Sequence, residues 1–125
     1  MIESDHRPSY IEVQLDAIAA NLEQVIEPLP RKTQAFAVIK ANAYGHGAKK
    51  VAQAVHHLVD GFCVSNVDEA LELREAGIEE TILILGVIMP NEVALARDYD
   101  ITLTVASQEW LDLANEQDIS LKGVN

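Results

Sequence analysis

Lys40 closes an apolar run, Ala35–Ile39 (AFAVI), and is followed at once by Ala-Asn-Ala-Tyr-Gly-His-Gly over residues 41–47. A lysine at the end of such a run ordinarily meets solvent and does nothing more. These neighbours make a particular chemistry available. Ala41 and Ala43 leave room beside the side chain. Gly45 and Gly47 let the backbone approach a ligand closely, just ahead of a helix whose free N–H groups and dipole favour an anion. Tyr44 adds a hydroxyl donor on the same turn. An amine beside an anion pocket is what holding a phosphate-bearing aldehyde cofactor requires, since a deprotonated lysine forms a Schiff base with an aldehyde. The glycine spacing matches neither the Walker A pattern nor G-x-G-x-x-G, so nucleotide binding gains no support.

Other reactive side chains fall to plainer readings. His56 and His57 are adjacent on a helix and do not face one ligand position, so no metal site is expected there. His6 lies at the very start of the chain. Asp68-Glu69 reads as a helix first turn and Glu79-Glu80 as a solvated turn. Cys63, the single cysteine, has no basic neighbour to activate it and reads as a buried thiol in a reducing compartment.

The elements that must carry Lys40 follow from hydrophobic period. Tyr10–Leu15 (YIEVQL) alternates and reads as a half-exposed strand. Asp16 reads as the N-cap of a helix with Ile18, Leu22, Val25 and Ile26 on one face, stopped by Pro28 and Pro30. AFAVI is a continuous apolar run, as in a strand covered on both faces. Ala48, Val51, Ala52, Val55, Leu58 and Val59 recur at helical spacing. Gly61–Val64 is a short buried strand. Asn66 with Glu69 resembles a capping box for a helix bearing Val67, Ala70, Leu71 and Ala76 and closed by Gly77. Thr81–Val87 and Ile101–Ala106 are further strands. Pro90 opens a helix to about Tyr99, and Ser107 caps a last one with Trp110, Leu111 and Ala114 inward.

From Ala35 onward, strands and helices therefore alternate in the rhythm of parallel βαβ units. An open doubly wound sheet and the first half of a (β/α)8 barrel both fit, a full barrel needing ~250 residues. Leu121–Asn125 looks like the approach to a further strand. In either architecture functional residues gather at the carboxyl ends of the strands, where Lys40 stands.

Composition narrows the classes. The chain has 125 residues and is 49% hydrophobic, enough for one real core, with a net charge of −11. No basic cluster exists beyond Arg31-Lys32 and Lys49-Lys50, so nucleic-acid binding is not expected. No signal-like start or bilayer-length apolar run is present, so no membrane association is expected and the default location is the cytoplasm.

The eleven residues AVIKANAYGHG (37–47) resemble the pyridoxal-phosphate attachment motif of the alanine racemase family. IEVQLDAIAANL (11–22), SNVDEALELREAGI (65–78), ILILGV (82–87) and ITLTV (101–105) resemble it too, so the likeness covers nearly all the chain from about Tyr10. The resemblance implies a fold: the N-terminal part, about half, of a (β/α)8 barrel, occupying residues 1–125. It also implies roles. Lys40 would carry the cofactor and act as base on one face of the alanine α-carbon, Tyr44 would bond the cofactor phosphate, and Leu85 would form an apolar wall beside the pyridine ring. Asn42 and His46 would support the turn. In that family the second base is a tyrosine in a C-terminal β-domain, contributed across a homodimer interface. The remaining half-barrel and that domain are not among these residues, so the segment alone is expected to be inactive. Rival readings are a non-catalytic pyridoxal-phosphate carrier, a racemase of another amino acid, and a purely structural βα domain.

Overall fold

The computed structural model of the chain describes His6 and residues 9–125. One parallel sheet of four strands runs in the order β1 (Phe36–Val38), β2 (Gly61–Val64), β3 (Thr81–Ile84) and β4 (Ile101–Leu103). Helix α1 (Leu15–Ile26) precedes β1. A single turn, α2 (Lys40–Tyr44), and α3 (Ala48–Val55) join β1 to β2, the latter extended by a 3₁₀ turn at His56–Leu58. Helix α4 (Val67–Glu75) joins β2 to β3. A 3₁₀ turn (Pro90–Glu92) and α5 (Val93–Asp98) lead to β4, and α6 (Gln108–Glu116) follows it. Parallel strands alternating with helices, one strand added per step, are the βα units from which a (β/α)8 barrel is built.

Register explains which side chains form the core. Ala37, Phe62, Ile82 and Ile101 are paired neighbours across the sheet, as are Val64, Ile84 and Leu103 one layer on. These rows face the helices, and Phe62, Ile82, Ile84 and Ile101 are completely buried. Val51, Val55, Ala70, Leu73, Val93 and Ala114 meet them from the helices. Each large side chain so buried contributes about 1.5–3 kcal/mol. The opposite rows, with Phe36, Val38 and Cys63, belong to the other face. Cys63 is buried, and that burial pushes its thiol pKa up, as a structural cysteine requires.

At the amino ends of β3 and β4 the guanidinium of Arg74 fastens two loops. It donates to the carbonyls of Ile78 (2.7 Å), Glu80 (2.8 Å), Tyr99 (2.9 Å) and Asp100 (2.8 Å). At the other end, the Trp110 indole donates to the Ile88 carbonyl at 2.6 Å and locks α6 beneath the loop after β3. Leu103 N–H donates to the carbonyl of Asn125 at 2.9 Å, so the last residue lies beside β4, where a further strand is expected from the sequence.

Several expectations need correction. Residues 9–14 are irregular, and the chain enters α1 at Leu15, so no strand forms over Tyr10–Leu15. An alternating segment becomes a strand only when it pairs with a sheet edge, and this one pairs with none, the edge of β1 included; Ile11 is 74% exposed. Gln14, not Asp16, occupies the N-cap position, and its side chain makes no cap bond. Val25 lies outside the packed stripe of α1, which is Ile18, Leu22 and Ile26. In α4 Leu73, a position the helical reading passed over, is completely buried, as is Ala70. AFAVI is not covered on both faces: Phe36 and Val38 are exposed, because β1 is an edge strand and only one sheet face carries helices. The caps at Asn66 and Ser107 form as expected, accepting from Glu69 N–H and Trp110 N–H.

Candidate functional site

The site begins where β1 stops. Ile39 leaves the extended region (φ −124°, ψ 24°), and its buried side chain anchors the strand end. Lys40 follows, half-buried, and then Ala41, Asn42, Ala43 and Tyr44 all adopt left-handed backbone angles, with φ of 51°, 54°, 53° and 54°. This is one turn of left-handed helix built from L-residues. Asparagine tolerates that conformation. For Ala41, Ala43 and Tyr44 it costs roughly 3–6 kcal/mol together, at about 1–2 each. Gly45 and Gly47 continue at φ 94°, where glycine carries no such cost; an added Cβ would meet open space at both, so conformation alone selects glycine.

Specific bonds hold the strained turn. Ala43 N–H donates to the Ile39 carbonyl at 2.9 Å. The Asn42 carbonyl accepts from Gly45 N–H (3.1 Å) and Gly47 N–H (2.9 Å). The Ala43 carbonyl accepts from His46 N–H at 3.0 Å and bonds the His46 ring through Nδ1 at 2.8 Å. Asn42 Oδ1 accepts from Ala48 N–H at 2.9 Å, fixing the first turn of α3 to the turn before it. Asn42 and His46 are therefore supports of the turn, as the sequence suggests. One correction follows from the same bond. The Asn42 side chain takes the Ala48 N–H, so that one donor at the N-terminus of α3 is not free for an anion.

Sheet register relates Lys40 to its candidate partners. Val38, Cys63 and Leu83 are paired neighbours. Lys40 lies two residues past the end of β1, Ser65 just past β2 and Leu85 just past β3, so all three stand at the carboxyl end of the sheet. Leu85 is 43% exposed and Tyr44 62% exposed. Among the described residues neither the Lys40 amine nor the Tyr44 hydroxyl has a hydrogen-bond or ion-pair partner. An unpartnered amine, a free phenol on the next turn and an apolar side chain across the strand ends suit a planar aldehyde carrying a phosphate, so these groups fit pyridoxal phosphate.

Two clefts among the described residues lie beside the turn. One of about 400 Å³ runs between α1, β1 and α3, lined by Ile18, Leu22, Ala37 and Val51. Another, about 500 Å³, lies behind the turn against Asn42, Glu69 and Glu72. Neither is lined by Lys40, Tyr44 or Leu85. Glu69 was legible only as a capping-box residue. Its carboxylate instead accepts from Ala41 N–H at 2.9 Å and Ser65 N–H at 2.7 Å, outside the usual return bond to the N-cap. Among the described residues no group of His, Cys, Asp and Glu could hold a metal ion, and no helix is long and apolar enough to cross a membrane.

The family model described as "Alanine racemase, N-terminal domain" matches residues 13–123. An alanine racemase of Streptococcus mutans is 56% identical over 125 residues, covering 100% of this chain and 34% of that protein. One from Streptococcus uberis is 60% identical over 114 residues, covering 91% and 31%. Among solved structures, alanine racemase from E. faecalis matches with a TM-score of 0.85 at 46% identity, covering 94% of this chain and 32% of that one. A histidine racemase from Leuconostoc mesenteroides matches with a TM-score of 0.76 at 33% identity, covering 91% and 31%. The chain spans about a third of the length of the curated relatives it matches.

Proposed function

We propose, starting from a chain that belongs to the alanine racemase family through that family's N-terminal domain, that residues 1–125 are the lysine-bearing part of a pyridoxal-phosphate-dependent amino-acid racemase. Its substrate is alanine, and the D-alanine formed serves peptidoglycan synthesis in the cytoplasm. Lys40 holds the cofactor through its amine, Tyr44 donates its hydroxyl hydrogen to the phosphate, and the Leu85 side chain bears on the ring. Bound pyridoxal phosphate supplies an electron sink conjugated to the substrate α-carbon, which makes the α-proton removable. Lys40 Nζ then accepts or returns that proton on one face only.

Inversion also needs a proton donor on the opposite face. Tyr10 lies in the irregular segment before α1, and Tyr99 is at the amino ends of the strands, its carbonyl held by Arg74. Tyr99 therefore stands away from the Lys40 end of the sheet. On this reading the opposite-face group is a tyrosine supplied across a homodimer, as the family resemblance implies.

The observation that supports this reading most is the left-handed run directly after Lys40, since backbone strain of this kind is concentrated at functional sites. The test is borohydride reduction of the full-length protein with pyridoxal phosphate, followed by peptide mass mapping. A label on Lys40, together with loss of racemisation in Lys40→Ala, is the expected result. A label on another lysine, or none, refutes the assignment. The likeness to a histidine racemase favours one second reading, a different amino-acid substrate. A panel of L-amino acids decides between the two.

A further inference from the structure

The Glu69 carboxylate joins two loops that the sequence keeps far apart. Oε1 accepts from Ala41 N–H, 28 residues away, and Oε2 from Ser65 N–H. The first N–H follows Lys40 directly, and the second follows the last residue of β2. Glu69 is itself held in the first turn of α4, its own N–H donating to Asn66 Oδ1 at 2.9 Å. A carboxylate that only capped α4 would send its bond back to the Asn66 N–H. This one reaches past it to the lysine turn. Among the described residues no other side chain from outside residues 39–48 is bonded to the turn.

We propose that Glu69 is a positioning residue for Lys40: by clamping the Ala41 and Ser65 N–H groups together it sets the direction from which the lysine amine reaches the substrate α-carbon. The inference rests on Lys40 being the base on one face, as proposed above. Both bonds need an acceptor on each branch of the side chain, which only the carboxylate provides. A glutamine has one accepting oxygen, and its amide nitrogen would turn donors toward an N–H. Glu69→Gln therefore breaks one arm of the clamp while keeping side-chain volume.

The experiment measures racemisation by the full-length protein in both directions, with α-protonated and α-deuterated L- and D-alanine. In Glu69→Gln, kcat is expected to fall roughly 10- to 100-fold, the size of effect that a ~1 Å misplacement of a reacting group produces, with a smaller change in KM. The isotope effect should rise for the enantiomer whose proton Lys40 removes and fall for the other, because only the Lys40 step has slowed. Asn66→Ala removes the α4 cap but leaves the clamp atoms in place. It should lose stability and keep both isotope effects at their normal values.

Normal kcat and isotope effects in Glu69→Gln would overturn the proposal. So would isotope effects that move together for both enantiomers. If Glu69→Gln does not fold, Glu69→Asp, which keeps the charge with a shorter reach, must show the same asymmetry or the proposal fails. Failure of the Lys40 assignment itself is read separately, from absence of the borohydride label on Lys40 in the unsubstituted protein.

Discussion

Replacing Asn42 tests whether the left-handed turn is held by the bonds described. Its side chain does two separable things. Oδ1 accepts from Ala48 N–H at 2.9 Å at the start of α3, and the residue itself sits at φ 54°, where asparagine is tolerated better than alanine. Loss of a helix cap costs about 1 kcal/mol. Forcing alanine into the left-handed region costs about 1 more. Asn42→Ala should therefore destabilise by ~2 kcal/mol, which at an m-value of about 2 kcal/mol per M lowers the urea midpoint by ~1 M. Asn42→Gly removes the acceptor but not the left-handed tolerance, so about 1 kcal/mol is lost. Asn42→Asp keeps the acceptor and brings a negative charge to the α3 N-terminus, which leaves stability unchanged or raises it by about 0.3–1 kcal/mol. Equilibrium urea unfolding of the three variants gives the order Asp, Gly, Ala. An alanine variant within 0.5 kcal/mol of the parent (~0.25 M in midpoint at that m-value) would refute this reasoning. An aspartate variant as damaged as alanine would do so equally.

Two other outcomes concern the opposite end of the sheet. Arg74→Ala releases the carbonyls of Ile78, Glu80, Tyr99 and Asp100. Part of that loss is made good by water, so thermal or urea unfolding should show roughly 2–3 kcal/mol less stability, with Arg74→Lys recovering less than half. Burial alone would raise the Glu80 carboxyl pKa, but the hydrogen bond and charge of His56, with backbone bonds at Glu80 and Glu79, outweigh it and hold the carboxyl below its ordinary value. A depressed carboxyl contributes stability above the ordinary glutamate pKa and loses it as pH falls through the depressed one. The Glu80–His56 contact of 2.8 Å is partly exposed, so His56→Ala should cost under about 1 kcal/mol near neutral pH. That deficit should shrink below about pH 4 in unfolding curves measured across the acid range.

Periodicity carried the fold a long way. The helical spacing of Val51, Ala52 and Val55 and the apolar strands around Phe62 and Ile82 all lie where the pattern puts them, because burial on one helix stripe or one sheet face is what such patterns encode. Tyr10–Leu15 failed because alternation says which face could be buried and not whether the segment will pair with an edge. Phe36 and Val38 failed for a related reason: an apolar run does not say how many layers cover it. At the candidate site, Lys40 and the glycines stand out by residue type. The left-handed angles at Ala41 and Ala43 were not, since alanine gives no signal for them and the conformation is imposed by bonds to Ile39, Gly47 and Glu69. The second role of Glu69 was hidden for the same reason. Its spacing from Asn66 is a local signal, whereas its contact with Ala41 exists only once two strand ends lie side by side.

That contact also sets an order in time. A ribosome adds about 5–20 residues per second, so Glu69 is made roughly 1–6 s after Ala41, from which 28 residues separate it. During that interval nothing distant restrains residues 41–44, and each is free to relax to the right-handed conformation that L-residues prefer. The turn after Lys40 is thus made before the carboxylate that clamps it, and a newly synthesised chain gains this backbone geometry only when β2 and the first turn of α4 have followed it out.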